Sequence, residues 1–289
     1  MNSEKSLELA SAREQFITYL TTARRAHATI LAYSKDIEQL VGFLSDMGKK
    51  QVQTVEKADL EGFLKKLSSD GYTPKSLSRK INSIKTFYRF LKTQNIIIAN
   101  PATEISHPKY EVKPPRILSK MEYRALRDAA RADIRTYAII ELFLQTGVRI
   151  GELAALQLDD VKDKELVIRP LENHPQRIIP INKAAKEALS KWLAIRPKTE
   201  GGALFITKTG RPLLVRNIRT TIDRYFKLAG IEDAKVNDLR HTFIAHHLAS
   251  GTPLTVISKL VGHKRLATTE KYLDLVKEKM VANVKLEEL

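Results

Sequence analysis

The sequence predicts a mainly α-helical chain with a small antiparallel sheet, split into an N-terminal all-helical domain and a C-terminal domain that holds the strands. Three observations predict it. Apolar residues recur at helical spacing through the first hundred positions. A proline-rich stretch, Ser106-His-Pro-Lys-Tyr-Glu-Val-Lys-Pro-Pro115, then breaks the pattern, and clear β-branched runs occur only within residues 161–181. The domains read as residues 1–105 and 116–289, joined by an extended linker over 106–115. With 289 residues and 43% hydrophobic content, the chain can bury two modest cores.

Leu7, Ala10, Phe16, Ile17 and Leu20 mark a first helix, and residues 29–44 form a second through Ile30, Tyr33, Ile37, Leu40, Val41 and Phe43. A third covers 56–67 and stops near Asp70-Gly71, where glycine suits a left-handed helix end. The fourth covers about 74–92, with Ile81, Ile84, Phe87, Phe90 and Leu91 inward and Arg79, Lys80 and Lys85 on other faces. By themselves those three are solvated charges on a helical bundle.

Past the linker, Ser119 precedes a helix through Ala130, and a strongly apolar helix over 134–144 ends at Thr146-Gly147. Arg149 opens a further helical turn, with Glu152 three residues on and on the same face. Glu165-Leu-Val-Ile-Arg and Arg177-Ile-Ile-Pro-Ile read as a β-hairpin with the polar loop Pro-Leu-Glu-Asn-His-Pro-Gln. Helices over 184–194 and 215–228 follow, the first carrying Trp192 as a packing residue, the second Arg216, Arg219 and Arg224 as phosphate contacts or plain surface. Val236-Asn-Asp-Leu-Arg240-His241 opens the next helix, and another over 254–261 ends at Gly262, just before His263. Thr268 and Thr269 introduce a helix bearing Tyr272, and a helical tail over 274–289 has Val276, Met280, Val281, Val284 and Leu286 as its apolar set.

Charge narrows the partner. Lys and Arg number 49 against 33 Asp and Glu, a formal charge of +16 with pI near 9.8, which suits a polyanion. Residues 1–112 carry 17 basic and 12 acidic side chains and residues 113–289 carry 32 and 21, so both domains are basic. Without cysteine there are no disulfides and no thiolate metal sites. The N-terminus lacks the order of a signal peptide and no apolar run approaches a membrane span, so the expected location is cytoplasmic.

Thr146-Gly-Val-Arg149-Ile-Gly-Glu152, Asp238-Leu-Arg240-His241 and Gly262-His263, with Tyr272 nine residues after His263, together resemble the active site of the tyrosine recombinases, the integrase and Xer-like enzymes that cut and rejoin DNA. The run through Phe90-Leu91 and Asn100-Pro101-Ala102 resembles the end of their helical core-binding domain. The resemblance implies a four-helix core-binding (SAM-like) domain and an α+β catalytic domain that close around double-stranded DNA, with Arg79, Lys80 and Lys85 as groove contacts. It implies that Arg149 and Arg240 grip the scissile phosphate, that His263 hydrogen-bonds it, and that Tyr272 attacks to give a 3′-phosphotyrosyl bond. Glu152 would hold the Arg149 guanidinium. No cofactor or divalent ion is needed. The C-terminal segment would dock on a neighbouring protomer in a homotetramer that passes through a Holliday junction, although a helix folded back on its own domain fits the same residues.

Two positions depart from the family pattern. Glu172 stands where the hairpin lysine protonates the leaving 5′ oxygen, and Asn237, which cannot exchange a proton, stands three residues before Arg240 in place of histidine. His174 on the same loop is the nearest substitute donor, or a solvated turn histidine. His241, His246 and His247 lack acidic or cysteine partners at metal-ligand spacing, and no metal is assigned. Three functions follow: an active site-specific recombinase, a DNA-binding relative with impaired cleavage acting as an accessory subunit, and a topoisomerase-like enzyme without sequence choice.

Overall fold

A computed structural model describes residues 6–172 and 174–282, the last five by backbone alone. The chain divides into two compact units, residues 1–112 and 113–289, within a stretch over 105–119 that has no regular secondary structure.

Helices α1 (Leu9–Thr22), α2 (His27–Asp46), α3 (Lys57–Ser69) and α4 (Pro74–Thr93) build the first unit. Their apolar stripes meet around Phe16, Ile37, Leu40, Leu60, Ile84 and Phe87, all fully buried. In α1 the buried row is Leu9, Ala12, Phe16 and Leu20, while Ala10 is exposed. Thr73 caps α4 by accepting from the Ser76 amide at 3.3 Å, with Pro74 at the first helical position.

A charged cluster lies inside this bundle. Asp36, 2% exposed, accepts from both Arg79 Nη atoms, from Lys80 Nζ at 2.9 Å and from Ser83 Oγ at 2.6 Å. Lys80 is itself 3% exposed, and its ammonium also donates to Gln39 Oε1 at 2.5 Å and lies 5.0 Å from the centre of the Tyr72 ring. The expectation that Lys80 touches DNA is therefore corrected. Position 80 lies three residues after Leu77 and four before Ile84, on the buried row of α4, where a lysine is retained by its internal acceptors. Arg79 keeps 47% of its side chain exposed while it holds Asp36, and the half-buried Lys85 donates to Thr103 O at 3.3 Å.

In the second unit, α5 (Lys120–Ala130) begins with a reciprocal cap: Ser119 Oγ accepts from the Glu122 amide at 3.2 Å and Glu122 Oε2 from the Ser119 amide at 2.7 Å. The next helix, α6 (Ile134–Thr146), is largely apolar and mostly buried, its buried Glu141 paired with Arg127, and it ends at Gly147 with a left-handed φ of 60°. A Cβ at Gly147 would stand 2.4 Å from the Phe243 ring, so both backbone and space demand glycine. After α7 (Ile150–Ala155), strands β1 (Glu165–Ile168) and β2 (Arg177–Pro180) pair antiparallel, Glu165 opposite Pro180 and Ile168 opposite Arg177. Leu166, Ile168 and Ile179 face inward.

Helices α8 (Lys183–Ile195), α9 (Val215–Leu228), α10 (Val236–Ala249), α11 (Leu254–Val261), α12 (Ala267–Glu270) and α13 (Leu273–Ala282) complete the unit, with α5, α8 and α10 packed on α6. Trp192 packs as expected, its Nε1 donating to Leu204 O at 3.0 Å. Phe243, Ile244, Leu248, Ile257, Val261, Tyr272 and Val276 form a separate apolar cluster that seats α13 on α10. Of the expected tail residues, Val284 and Leu286 lie outside the described residues, as do the side chains of Met280 and Val281. The architecture is mainly α with a small antiparallel sheet, and no described helix is long and apolar enough to cross a membrane.

Asp36→Ala would leave the Lys80 ammonium buried without its counter-ion. The expected loss is about 3–5 kcal/mol, read from urea denaturation of the full chain, and an unchanged midpoint would contradict the structural role given to the cluster.

Candidate active site

Each of the last three carbonyls at the end of α11 takes an arginine from a different element. Arg177, opening β2, donates from Nε to Leu260 O at 2.7 Å; Arg240 on α10 donates from Nη2 to Val261 O at 2.7 Å; Arg149, just before α7, donates from Nη2 to Gly262 O at 2.6 Å. A helix end leaves these carbonyls without intrahelical partners and carries partial negative charge, so cations collect there. Gly262 turns left-handed at φ 66°, and a Cβ on it would stand 3.0 Å from Arg177 Nη1.

Glu152 ties two of the arginines together. Its Oε1 accepts from Arg149 Nη1 at 2.9 Å and Arg177 Nη1 at 2.8 Å, and its Oε2 from the Arg149 amide at 2.8 Å and Arg177 Nη2 at 2.7 Å. Burial alone would raise its pKa, but the Arg177 hydrogen bonds, the Arg149 amide and both guanidinium charges bring it down to about 2. Arg240, 8% exposed, also donates from Nη1 to Gly147 O. Burial, then the neighbouring charge of Arg149, pushes its pKa down to about 9, which still leaves it charged at neutral pH. Each of its Nη atoms keeps a second N–H for an incoming anion.

His263 follows directly, its amide donating to Ser258 O at 2.9 Å. Its Nδ1 pairs with Oγ1 of the fully buried Thr269 at 2.7 Å, so Nε2 is the nitrogen left to meet a substrate. Burial, then the charges of Arg240 and Arg149, brings its pKa down to about 4. The ring is neutral at pH 7 until an anion offsets those charges. Tyr272 is 5% exposed, and its Oη lies 2.7 Å from His241 Nδ1. Burial raises the phenol pKa against the opposing pull of Arg240.

The expectation that Tyr272 lies within a helix is corrected, because it occupies the turn between α12 and α13. With the Thr269 hydroxyl held by His263, the chain tightens into short i→i−3 bonds, Thr269 to Leu266 O and Tyr272 to Thr269 O.

At the hairpin tip Leu171 and His174 exchange backbone hydrogen bonds of 3.1 and 2.9 Å, and Glu172 turns left-handed at φ 52° with its side chain exposed. His174 Nδ1 is buried with no hydrogen-bond partner, and burial together with the charge of Arg149 lowers the pKa of the ring. Asn237 is exposed on the first turn of α10, and its side chain makes no hydrogen bond among the described residues, so it does not join the cluster. No group of three or more His, Cys, Asp or Glu among the described residues is arranged to hold a metal ion.

Sequence reasoning missed Arg177, Thr269 and the contact of His241 with Tyr272. Arg177 had left a signal: it shares a strand face with the buried Ile179, and a charge in that row needs an internal counter-ion. Thr269 and His241 left none, because each is defined by a contact across separate elements.

Known proteins share the sequence and the fold of this chain. Residues 116–279 match the phage integrase family, and residues 14–95 match the phage integrase N-terminal SAM-like domain. Tyrosine recombinase XerC of Shewanella amazonensis is 32% identical over 274 residues, covering 92% of each chain; that of Thermodesulfovibrio yellowstonii is 33% identical over 258 residues, covering 84% of each. Among solved structures, XerA recombinase is similar with a TM-score of 0.55 at 27% identity, over 96% of this chain and 99% of its own. A lambda integrase tetramer bound to a Holliday junction shares the fold with a TM-score of 0.76 at 20% identity, over 92% of this chain and 80% of its own. A SAM-like helical unit followed by this catalytic fold defines an enzyme of DNA strand breakage and rejoining. The chain belongs to the phage integrase family, as an Xer-like tyrosine recombinase.

The sign of the Glu152 effect follows from its pKa, 4.5 ordinarily and about 2 in the fold: its stabilisation is complete above about pH 4.5 and is lost as pH falls through about 2. Glu152→Gln is expected to unfold roughly 3 kcal/mol more easily than the parent at pH 7, with a smaller gap at pH 3. Urea midpoints at the two pH values check this, and an equal gap would contradict the assignment.

Proposed function

We propose that this chain is a site-specific recombinase that binds double-stranded DNA, cleaves one strand at a time through Tyr272 and rejoins strands by way of a Holliday junction. The observation that carries the reading is the gathering of Arg149, Arg240 and His263 around the end of α11, with Tyr272 close enough to Arg240 for that charge to act on its phenol. A phosphodiester repels anionic attackers and gains charge on its non-bridging oxygens in the transition state, which guanidiniums grip in bidentate fashion. Arg149 and Arg240 take that role, with His263 offering Nε2 to the same phosphate. Attack by Tyr272 Oη on phosphorus releases the 5′ oxygen and leaves a 3′-phosphotyrosyl bond that conserves the energy for rejoining.

His174 is the proposed proton donor to the leaving oxygen, because it sits at the hairpin tip within the electrostatic reach of Arg149, and the phosphates of a bound duplex would oppose the lowering of its pKa. Arg79, Asn82 and Arg89 share an exposed face of α4, and with Lys85 and the exposed Arg216, Arg219 and Arg224 of α9 they are proposed backbone contacts. A homotetramer on synapsed sites, formed by exchange of C-terminal helices, and a cytoplasmic location complete the proposal. Glu172 at the hairpin tip and Asn237 outside the cluster favour a second reading, an accessory subunit with impaired cleavage.

Nicked suicide duplexes separate the readings. A denaturation-resistant protein–DNA adduct is expected with the parent and none with Tyr272→Phe. Dependence on duplex sequence distinguishes a recombinase from a topoisomerase-like enzyme, and no adduct on any duplex leaves the accessory reading. Glu172→Lys is expected to raise the cleavage rate on the order of tenfold or more, by adding a cationic general acid beside His174 at the hairpin tip. A neutral effect would assign the proton to another group.

A further inference from the structure

We propose that His241 accepts the proton of Tyr272 during strand cleavage and returns it on rejoining, an assignment that rests on the reading of Tyr272 as nucleophile. The geometry is direct. His241 Nδ1 and Tyr272 Oη are 2.7 Å apart, and the two rings lie near parallel, with centroids 5.7 Å apart and planes 28° apart. His241 follows Arg240 in α10, so one rigid helix carries both a phosphate-gripping guanidinium and the imidazole that touches the attacking oxygen. It also lies four residues after Asn237, one turn further along the helix from the position whose side chain cannot exchange a proton.

The surroundings suit a base. The charged and titratable groups that face His241 are Asp238 and Arg240 on its own helix, His263 beyond α11, and Tyr272 in the α12–α13 turn. No charge on α6, α9 or α13 is among the groups that shift it. Burial outweighs the opposing effect of Asp238 and lowers its pKa, so the ring is neutral at pH 7 with a lone pair available on Nδ1 when Nε2 carries the proton.

The step balances. The Oη–P bond forms and the P–O5′ bond breaks. The phenol proton passes to His241 Nδ1, and the 5′ oxygen takes a proton from the donor beside it. In rejoining, the 5′ hydroxyl attacks phosphorus and returns its proton to the group that donated it, the P–Oη bond breaks, and His241 returns its proton to the phenol.

Asparagine is the discriminating substitution, because its Oδ1 occupies the place of Nδ1 and can hold the tyrosine hydroxyl without taking its proton. Single-turnover cleavage of a suicide duplex is expected to fall about 100-fold in both His241→Asn and His241→Ala, with duplex affinity within about twofold of the parent. The acid limb of the parent pH–rate profile, set by protonation of His241, is expected to vanish in His241→Asn. Replacing Tyr272 by the more acidic 2,3-difluorotyrosine is expected to recover more rate in His241→Asn than in the parent. Parent-like cleavage by His241→Asn reduces the contact to a positional one and overturns the proposal. Should a variant fail to fold, the parent chain carrying difluorotyrosine decides: an acid limb that stays in place belongs to His241, and one that moves with the phenol overturns the proposal. If the parent forms no Tyr272 adduct, the recombinase reading fails and this assignment fails with it; an adduct with unimpaired variants sinks this assignment alone.

Discussion

The catalytic unit depends on how the end of α11 is satisfied. Three successive carbonyls there need donors, and Arg149, Arg177 and Arg240 supply them from a loop, a strand and a helix that are remote in sequence. Three guanidiniums this close repel one another. Glu152 and the carbonyls offset much of that repulsion, and what remains adds to burial in lowering the pKa of Arg240. An incoming phosphate would relieve it, so the arrangement that completes the fold also prepares an anion site.

Small backbone choices make this convergence possible. Gly147 ends α6 in a conformation and at a separation from Phe243 that a side chain would not allow, which brings its carbonyl to Arg240. Gly262 leaves room for the Arg177 guanidinium while its own carbonyl meets Arg149. The next residue, His263, is oriented by Thr269, and the tightened chain after Thr269 delivers Tyr272 to His241. A continuous set of contacts thus runs from the arginine cluster to the phenol.

Much of the fold was legible because its signals are periodic. The four helices of the first unit, the hairpin and the helix over Val215–Leu228 announce themselves through spacings of 3.6 or 2 residues. Periodicity failed where a polar residue sits in an apolar row. Lys80 reads as surface by residue type, yet Asp36, Gln39 and Tyr72, all distant in sequence, make its burial tolerable. The break at Tyr272 was hidden for a related reason: the turn's short backbone bonds accompany a contact between Thr269 and a histidine six residues away.

By itself the sequence determined the fold class and the two-part organisation and singled out the two arginines, the histidine and the tyrosine as candidates, since these are written in motifs and periods that local spacing preserves. It also exposed Glu172 and Asn237 as departures. Only the tertiary structure decided that Lys80 is internal, that Arg177 shares Glu152 with Arg149, that Asn237 stands aside while His174 turns inward, and that His241 is the partner of Tyr272. The physical reason is common to all four. Sequence spacing measures distance along an element, whereas hydrogen bonds between elements are set by how those elements cross, and that is known only once the chain is packed.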